Sequence, residues 1–377
     1  MDQKRAVLFL PDDDSYEDSV PPLMLEAVLF CPILSWMSKK LLADGVQRFF
    51  AVCGPKYAQE VRACFPDDAD VTISEQHQEL LDFVDGPGSV LVIPCPVIPV
   101  EGVGEGYVYA AEGSVLKEAW GAGATNSVRD AEGVKGWLTL YHTGNIQEIE
   151  LMLRDRVVQE HIRNGVRFLD PSAVYVDPRV EIGAGTLILP GTILRGAAKI
   201  GRGCIIGPNA MIRDCVVGDN TEINASQVNE STIGSRTHVG PFAYIRPHCV
   251  IGDDIKVGDF VEVKNSTLGD GTKISHLTYV GDSDVGRRVN FGCGTVTTNY
   301  DGFHKYRCVI GDDAFIGCNT NLIAPVMVGS GAYTAAGSTV TDDVPEDALA
   351  VARAKQKNLE GWAARNRKIK QGQKNAQ

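Results

Sequence analysis

The chain has 377 residues, 44% hydrophobic and 22% charged, the balance of an ordinary globular protein rather than a disordered one. Its formal net charge of −12 opposes a nucleic-acid partner, whose phosphates it would repel, and no apolar run approaches the roughly 20 residues that span a bilayer. Met1-Asp2-Gln3-Lys4-Arg5 leads into a short strand rather than a signal peptide, and the ten cysteines are scattered without a C-x-x-C pair, so reduced thiols in a cytoplasm are expected and a structural zinc site is not.

The length suffices for two or more domains with cores of their own. Over residues 1–120, short apolar strands at 6–10, 49–52, 70–73 and 89–93 alternate with helical stretches at 33–42, 57–64 and 76–83. That alternation predicts a small parallel sheet of Rossmann type. A glycine-rich passage runs from Gly102 to Gly136, and a helix rich in Glu, Leu and Arg is expected near residues 146–164. Residues 121–170 therefore read as a linker with a helix that Gly165 ends.

From about residue 171 the pattern changes. Aliphatic side chains recur at every sixth position: Ile182, Ile188, Leu194, Ile200, Ile206, Ile212, then Val239, Ile245, Ile251, Val257, Val263. The beat returns at Ile310, Ile316, Leu322, Val328, Thr334 and Val340, and glycine follows many of its members, among them Gly207, Gly240, Gly258, Gly311 and Gly317. A helix repeats at 3.6 and a strand at 2, so neither accounts for six. A solenoid does, with one short strand and one inward plug per face and glycine relieving strain at the turn. Residues 171–345 would hold roughly ten coils of about 18 residues, with five-residue steps at Val228–Ile233 and Val263–Leu268 absorbed as slips. From Thr298 to Cys308 the plugs vanish, which predicts an extruded loop on a binding face. Pro345 is expected to open a closing helix with Glu346 and Asp347 in its first turn, and residues 346–377 to form a helix and basic tail.

Seven segments carry a specific resemblance: AYIRP (243–247), FVEVKN (260–265), SHLTYVGD (275–282), VNFGCGTVTTNYDG (289–302), IGDDAFIGCN (310–319), AAGSTVT (335–341) and ALAVAR (348–353). Together they resemble the acetyltransferase half of the bacterial bifunctional family that makes UDP-N-acetylglucosamine, in which a glucosamine-1-phosphate N-acetyltransferase is joined to an N-acetylglucosamine-1-phosphate uridylyltransferase. The resemblance implies an α/β nucleotidyltransferase-type domain followed by an all-β left-handed parallel β-helix, an exception to the right-handed crossover rule. It also implies a homotrimer acting on small-molecule substrates, with active sites at seams between subunits.

The front half is similar to the family's nucleotidyltransferase domain only in outline. Where the family has a glycine-rich basic loop for nucleotide phosphates, this chain reads Leu10-Pro11-Asp12-Asp13-Asp14-Ser15, which would repel a triphosphate. The family's Pro-Lys becomes Pro21-Pro22, its magnesium-binding Gly-Asp falls near Cys95-Pro96 without a carboxylate, and the region is shortened. Loss of uridylyl transfer is expected.

The matched motifs also assign roles. N-acetylation of an amino sugar needs a base for the ammonium, cations for the phosphate, a donor for the thioester oxyanion and a slot for acetyl-CoA. His276 in SHLTYVGD is the expected base, since an unperturbed imidazole titrates near pH ~6.5. Arg246, Lys264 and Lys305 map onto sugar-phosphate ligands, and Tyr279 and Asn290 would hydrogen-bond the sugar. Cys293, at a position usually alanine, would offer its backbone N–H to the thioester oxygen; Asn299, Tyr300, Cys318, Ala336 and Arg353 would contact the cofactor. A covalent acyl-cysteine is conceivable, but direct transfer needs no second nucleophile. His238, His248 and His304 are expected to be structural or exposed, and no metal is expected at the site. Three alternatives stay open: another phosphorylated amino sugar as acceptor, retained uridylyl transfer, or a non-catalytic trimeric scaffold.

Overall fold

The computed structural model describes residues 4–10, 21–100, 107–123, 128, 131–140 and 146–374. The acidic run Asp12–Asp14 lies outside these. Two compact units divide the chain, Met1–Asp214 and Cys215–Gln377.

In the first unit, Lys4–Phe9 is the hub of a sheet because its apolar residues are buried on both faces. It pairs in parallel with Val46–Val52 and Ser89–Ile93, and Val46–Val52 pairs in parallel with Asp70–Ser74. The expected parallel sheet is thus present, but its edge is mixed. Ser89–Ile93 pairs antiparallel with Tyr109–Glu112, which pairs antiparallel with Glu132–Gly133. Trp137–Thr139 likewise pairs antiparallel with Val97–Pro99. The front sheet therefore draws on residues read as linker, beyond residue 120; the glycines hid two short strands, of which Trp137–Thr139 is anchored by the fully buried Trp137. Phe9 meets Trp120 edge-on at 5.8 Å and Phe50 meets Phe83 at 5.3 Å in the core between sheet and helices. The helix Ile146–Arg163 ends as expected: Gly165 has φ +87°, its N–H bonds Ile162 and that of Val166 bonds the His161 carbonyl, a Schellman closure. Coils follow within this unit from Arg167–Phe168, which pairs with Leu187–Ile188, slightly before the expected start.

The second unit is a parallel coil whose plugs stack in register. Val257 lies over Val239 and under Ile274; Ile274 lies under Phe291, Phe291 under Ile316, and Ile316 under Thr334. All are buried, so the six-residue beat is the core itself. Thr334 fills its slot because its hydroxyl is satisfied there, 2.9 Å from the Gly317 N–H and 3.1 Å from the Thr320 hydroxyl.

The glycines after the beats do different work from that expected. Gly207 and Gly240 do have positive φ, but Gly258, Gly311 and Gly317 do not. A Cβ at Gly258 would lie 2.0 Å from the Ser275 carbonyl oxygen, and one at Gly317 would lie 2.4 Å from that of Thr334. Close approach of the next coil demands glycine there. Left-handed corner positions fall largely to Asp and Asn, such as Asp254, Asn265, Asp282, Asp313 and Asn319, whose short polar side chains tolerate that region.

The plug-free segment is an extruded loop: pairing jumps from Asp284 to Val309, Tyr300 and Lys305 form an isolated antiparallel bridge, and Phe303 is 87% exposed. At the other end the expectation fails. Pro345 opens no helix; Leu349–Ala350 still pairs with Tyr333–Thr334, and the closing helix is Trp362–Lys374. A turn proline with acidic neighbours reads like a helix start, but the coil beneath supplies an unpaired strand edge that the chain satisfies first. No helix among the described residues is long and apolar enough to cross a membrane.

Candidate active site

Two unusually long strands, Lys256–Lys264 and Lys273–Gly281, lie side by side in the second unit. Their register sets Asp259 beside His276, Glu262 beside Tyr279 and Lys264 beside Gly281. Asp259 Oδ1 lies 2.8 Å from His276 Nδ1, and the carboxyl is held below its usual range chiefly by that hydrogen bond. A carboxylate only accepts, so in the neutral ring Nδ1 carries the proton and Nε2 keeps a lone pair that could face a substrate. Leu277, with φ +41°, turns the chain here, and the Thr278 hydroxyl donates to the His276 carbonyl at 2.7 Å, fixing the corner that carries the ring.

A few residues along the same strand is a cluster of cations. Arg246 is level with Lys264 through the pairing of Ile245 with Val263, and its guanidinium donates to Glu262 at 2.8 Å. Lys264 Nζ lies 3.6 Å from Asp282 Oδ2. Lys305, carried in by the extruded loop, lies near enough to Lys264 to push that ammonium's pKa down, with burial and Arg246 adding to the effect and Asp282 opposing it. Burial pushes the Asp282 carboxyl up, but the Asn265 and Asn299 amides that donate to it, with Lys264 and Lys305, bring it below the usual range. Burial also pushes the Tyr279 phenol up, against a hydrogen bond with Asn299. Arg246, Lys264, Tyr279 and Lys305 are therefore brought together as the sequence suggests. Asn299, expected on the cofactor side, has its side chain in this cluster.

Cations elsewhere on the coil meet carboxylates in plain pairs: Arg236 with Asp254, Arg287 with Asp312, Arg288 with Asp313, Arg307 with Asp284. At the cluster Arg246 and Lys264 also meet carboxylates, Glu262 and Asp282, but Lys305 sets a further cation beside Lys264, an arrangement that a multidentate anion would relieve. His276 and Tyr279 are three residues apart, at most about 10 Å along the strand, the scale of one small phosphorylated substrate.

A third group lines one corner. The pairings of Ile274 with Phe291, Phe291 with Ile316 and Ile316 with Thr334 put His276, Cys293, Cys318 and Ala336 at equivalent positions of successive coils. The Asn319 N–H donates to the Cys293 carbonyl at 2.8 Å and the Gly337 N–H to that of Cys318 at 2.8 Å. This column of small side chains starts at His276 and would let an extended thioester lie against the coil. Arg353 passes beside Gly337 at its far end. Tyr300 is not part of the column: it sits on the loop, its hydroxyl donating to the Gly302 carbonyl. Asn290 pairs with Lys273 and Phe315 on a neighbouring strand and shares no hydrogen bond with the cluster.

Sequence reasoning missed Asp259, Glu262 and Asp282 as partners. The signal was available for two of them. Glu262 and Asp282 lie inside FVEVKN and SHLTYVGD, and Asp259 is one coil before His276, but only the register shows which acid meets which base.

Known proteins are similar to parts of this chain. Residues 171–261 match the model described as GMPPB C-terminal domain, and residues 307–342 the bacterial transferase hexapeptide (six repeats). The chain is 52% identical over 220 residues to the bifunctional protein GlmU of Geobacillus sp. (strain WCH70), covering 58% of this chain and 48% of that one. It is 52% identical over 217 residues to the GlmU of Clostridium kluyveri, with 58% and 48% covered, and 51% over 220 residues to that of Exiguobacterium sp., with 58% and 49%. Over this stretch the chain is a relative of the bifunctional GlmU proteins. It spans about half the length of the curated GlmU relatives it matches. Among solved structures, Arabidopsis UDP-N-acetylglucosamine acyltransferase is similar at 19% identity and TM-score 0.33, covering 54% of this chain and 72% of that one. LpxA from Acinetobacter baumannii is similar at 17% identity and TM-score 0.25, covering 52% and 77%. With the hexapeptide match, the coil seen here is a left-handed parallel β-helix. The two family matches enclose Arg246, Asp259, Cys318 and Ala336.

Proposed function

We propose that the protein is an N-acetyltransferase that uses acetyl-CoA to convert glucosamine 1-phosphate to N-acetylglucosamine 1-phosphate, for UDP-N-acetylglucosamine synthesis in the cytoplasm. The observation that carries this reading is the strand Lys273–Gly281, which presents the Asp259-bound His276 and, three residues on, Tyr279 within the Arg246–Lys264–Lys305 cluster. The cluster would hold the phosphate, whose oxygens match a guanidinium fork and two ammoniums. Nε2 of His276 would take the proton from the substrate ammonium, freeing a lone pair on nitrogen, while Asp259 holds the ring and balances the charge it gains. The bound cofactor supplies an activated thioester carbonyl. The Cys293 N–H would face the carbonyl oxygen as it gains charge, and the Cys318–Ala336 column would seat the cofactor's chain.

As in the family it resembles, we read the working form as a homotrimer whose neighbouring subunits complete each site, and Asn290, Tyr300 and Arg353 as contributing there. Uridylyl transfer is read as lost, on Pro21-Pro22 and on Cys95, whose half-buried thiol stands where a magnesium-binding carboxylate would be needed. The cations recognise a phosphate rather than a particular ring, so another phosphorylated amino sugar is the second reading. A panel of amino-sugar phosphates assayed with acetyl-CoA separates the two: N-acetylation of glucosamine 1-phosphate, lost in His276→Ala, supports the first. No turnover of any phosphorylated amino sugar by the purified oligomer would remove both.

A further inference from the structure

Most cysteines here are out of reach of solvent chemistry. Among the described residues Cys31, Cys53, Cys64, Cys204, Cys215, Cys249 and Cys308 are buried, and burial pushes the thiols of Cys31, Cys64, Cys249 and Cys308 up. On the β-helix two remain accessible: Cys293, half-buried, and Cys318, exposed. These two are not scattered. The pairing of Asn290 with Phe315 and of Phe291 with Ile316 puts them at the same corner of successive coils, and the Asn319 N–H to Cys293 carbonyl bond of 2.8 Å ties the two turns together. Successive coils of a parallel sheet stand about 4.7–4.9 Å apart. That falls within the roughly 4.4–6.8 Å between Cα atoms that a disulfide requires.

We propose that Cys293 and Cys318 form a dithiol modification site, oxidised to an intramolecular bridge by a low-molecular-weight disulfide. The exposed Cys318 thiolate attacks the disulfide RSSR, forming Cys318–S–S–R and releasing one thiolate. The Cys293 thiolate then attacks the Cys318 sulfur and releases the second. The chain loses two electrons and two protons, and RSSR is reduced to two RSH. The bridge forms one coil from His276, across the column that the proposed function assigns to the cofactor, so its effect on acetyl transfer rests on that reading while its formation does not.

The test uses the whole protein incubated with oxidised glutathione, alkylated with iodoacetamide and digested with trypsin. A linked pair of peptides, one containing Cys293 and one containing Cys318, is expected in the wild type and absent in Cys318→Ser. A link that persists in Cys318→Ser, which would implicate Cys308, or two independently capped thiols, would overturn the site. Oxidised wild type should lose at least about tenfold in acetyl transfer and recover with dithiothreitol, whereas oxidised Cys318→Ser, which cannot form the first mixed disulfide, should keep the activity it had before oxidation, and oxidised Cys293→Ala should retain glutathione on Cys318 without a cross-link. A clean cross-link in protein with undiminished turnover would refute the blocking role. A cross-link in protein that never acetylates an amino-sugar phosphate would leave the dithiol standing and count against the function.

Discussion

At the scale of single residues, the site depends on which acid meets which base. Asp259 bonds Nδ1 of His276, so the ring is held in one orientation and, when neutral, in one tautomer. His276→Ala should lower kcat by about 10²–10⁴-fold with a small change in KM. Asp259→Asn should cost less, about tenfold, because the amide still holds the ring without balancing its charge; steady-state kinetics on both variants checks the order. Lys305 makes its contribution as a cation beside another cation. Lys305→Ala should raise KM for the phosphorylated substrate by about 10–100-fold while kcat moves little, the worth of one charge-assisted hydrogen bond. Asp282 gives the pH dependence. Its carboxyl lies below the usual range when folded, so the unfolded chain binds its proton first as acid is added. The stabilisation is complete above the ordinary carboxylate value of about 3.9 and is lost as pH falls through the lower folded value. Wild type should therefore lose stability across that acid window faster than Asp282→Asn, as read by urea midpoints at stepped pH.

At the scale of elements, one coil is a marginal structure that exists because the next covers it. Ile316 is fully buried between Phe291 and Thr334, and Ile316→Ala should cost about 2–5 kcal/mol, measured by denaturant unfolding. Gly317→Ala should also destabilise, for a different reason: its new methyl group would strike the Thr334 carbonyl, and no rotamer can relieve a backbone clash. The cross-coil pairs of Arg236, Arg287 and Arg288 with their aspartates are exposed, and each contributes little. The extruded loop is the exception to coil regularity. It interrupts the beat to deliver Lys305 and Asn299, which the stacked strands by themselves could not place beside Lys264 and Asp282.

At the scale of the whole molecule, the front domain and the coil make separate predictions. Titration of the full chain with UTP and magnesium should produce no binding heat, since Pro21-Pro22 offers no cation and Cys95 no carboxylate; a clear isotherm would overturn the reading that the front domain is degenerate. The same preparation should sediment as a trimer, and turnover should fall when dilution dissociates it, as expected if neighbours complete each site.

The sequence by itself determined the repeat, because a plug every sixth residue is a property of the unfolded list of side chains that no alternative period accommodates. Through the resemblance of its motifs it also pointed to His276, Arg246, Lys264 and Lys305, whose roles remain part of the proposed function. The helix ending at Gly165 was legible because a left-handed cap is a local event. What only the tertiary structure decided is everything set by contact between coils. The pairing of Asp259 with His276, the arrival of Asn299 at Asp282, the alignment of Cys293 with Cys318, and the need for glycine at 258 and 317 all join residues a full coil apart in the chain. The fate of Pro345 belongs with them, since a strand edge already waiting in space outweighed a local helix signal. Register is a long-range quantity, fixed when buried plugs stack, and no local window of sequence contains it.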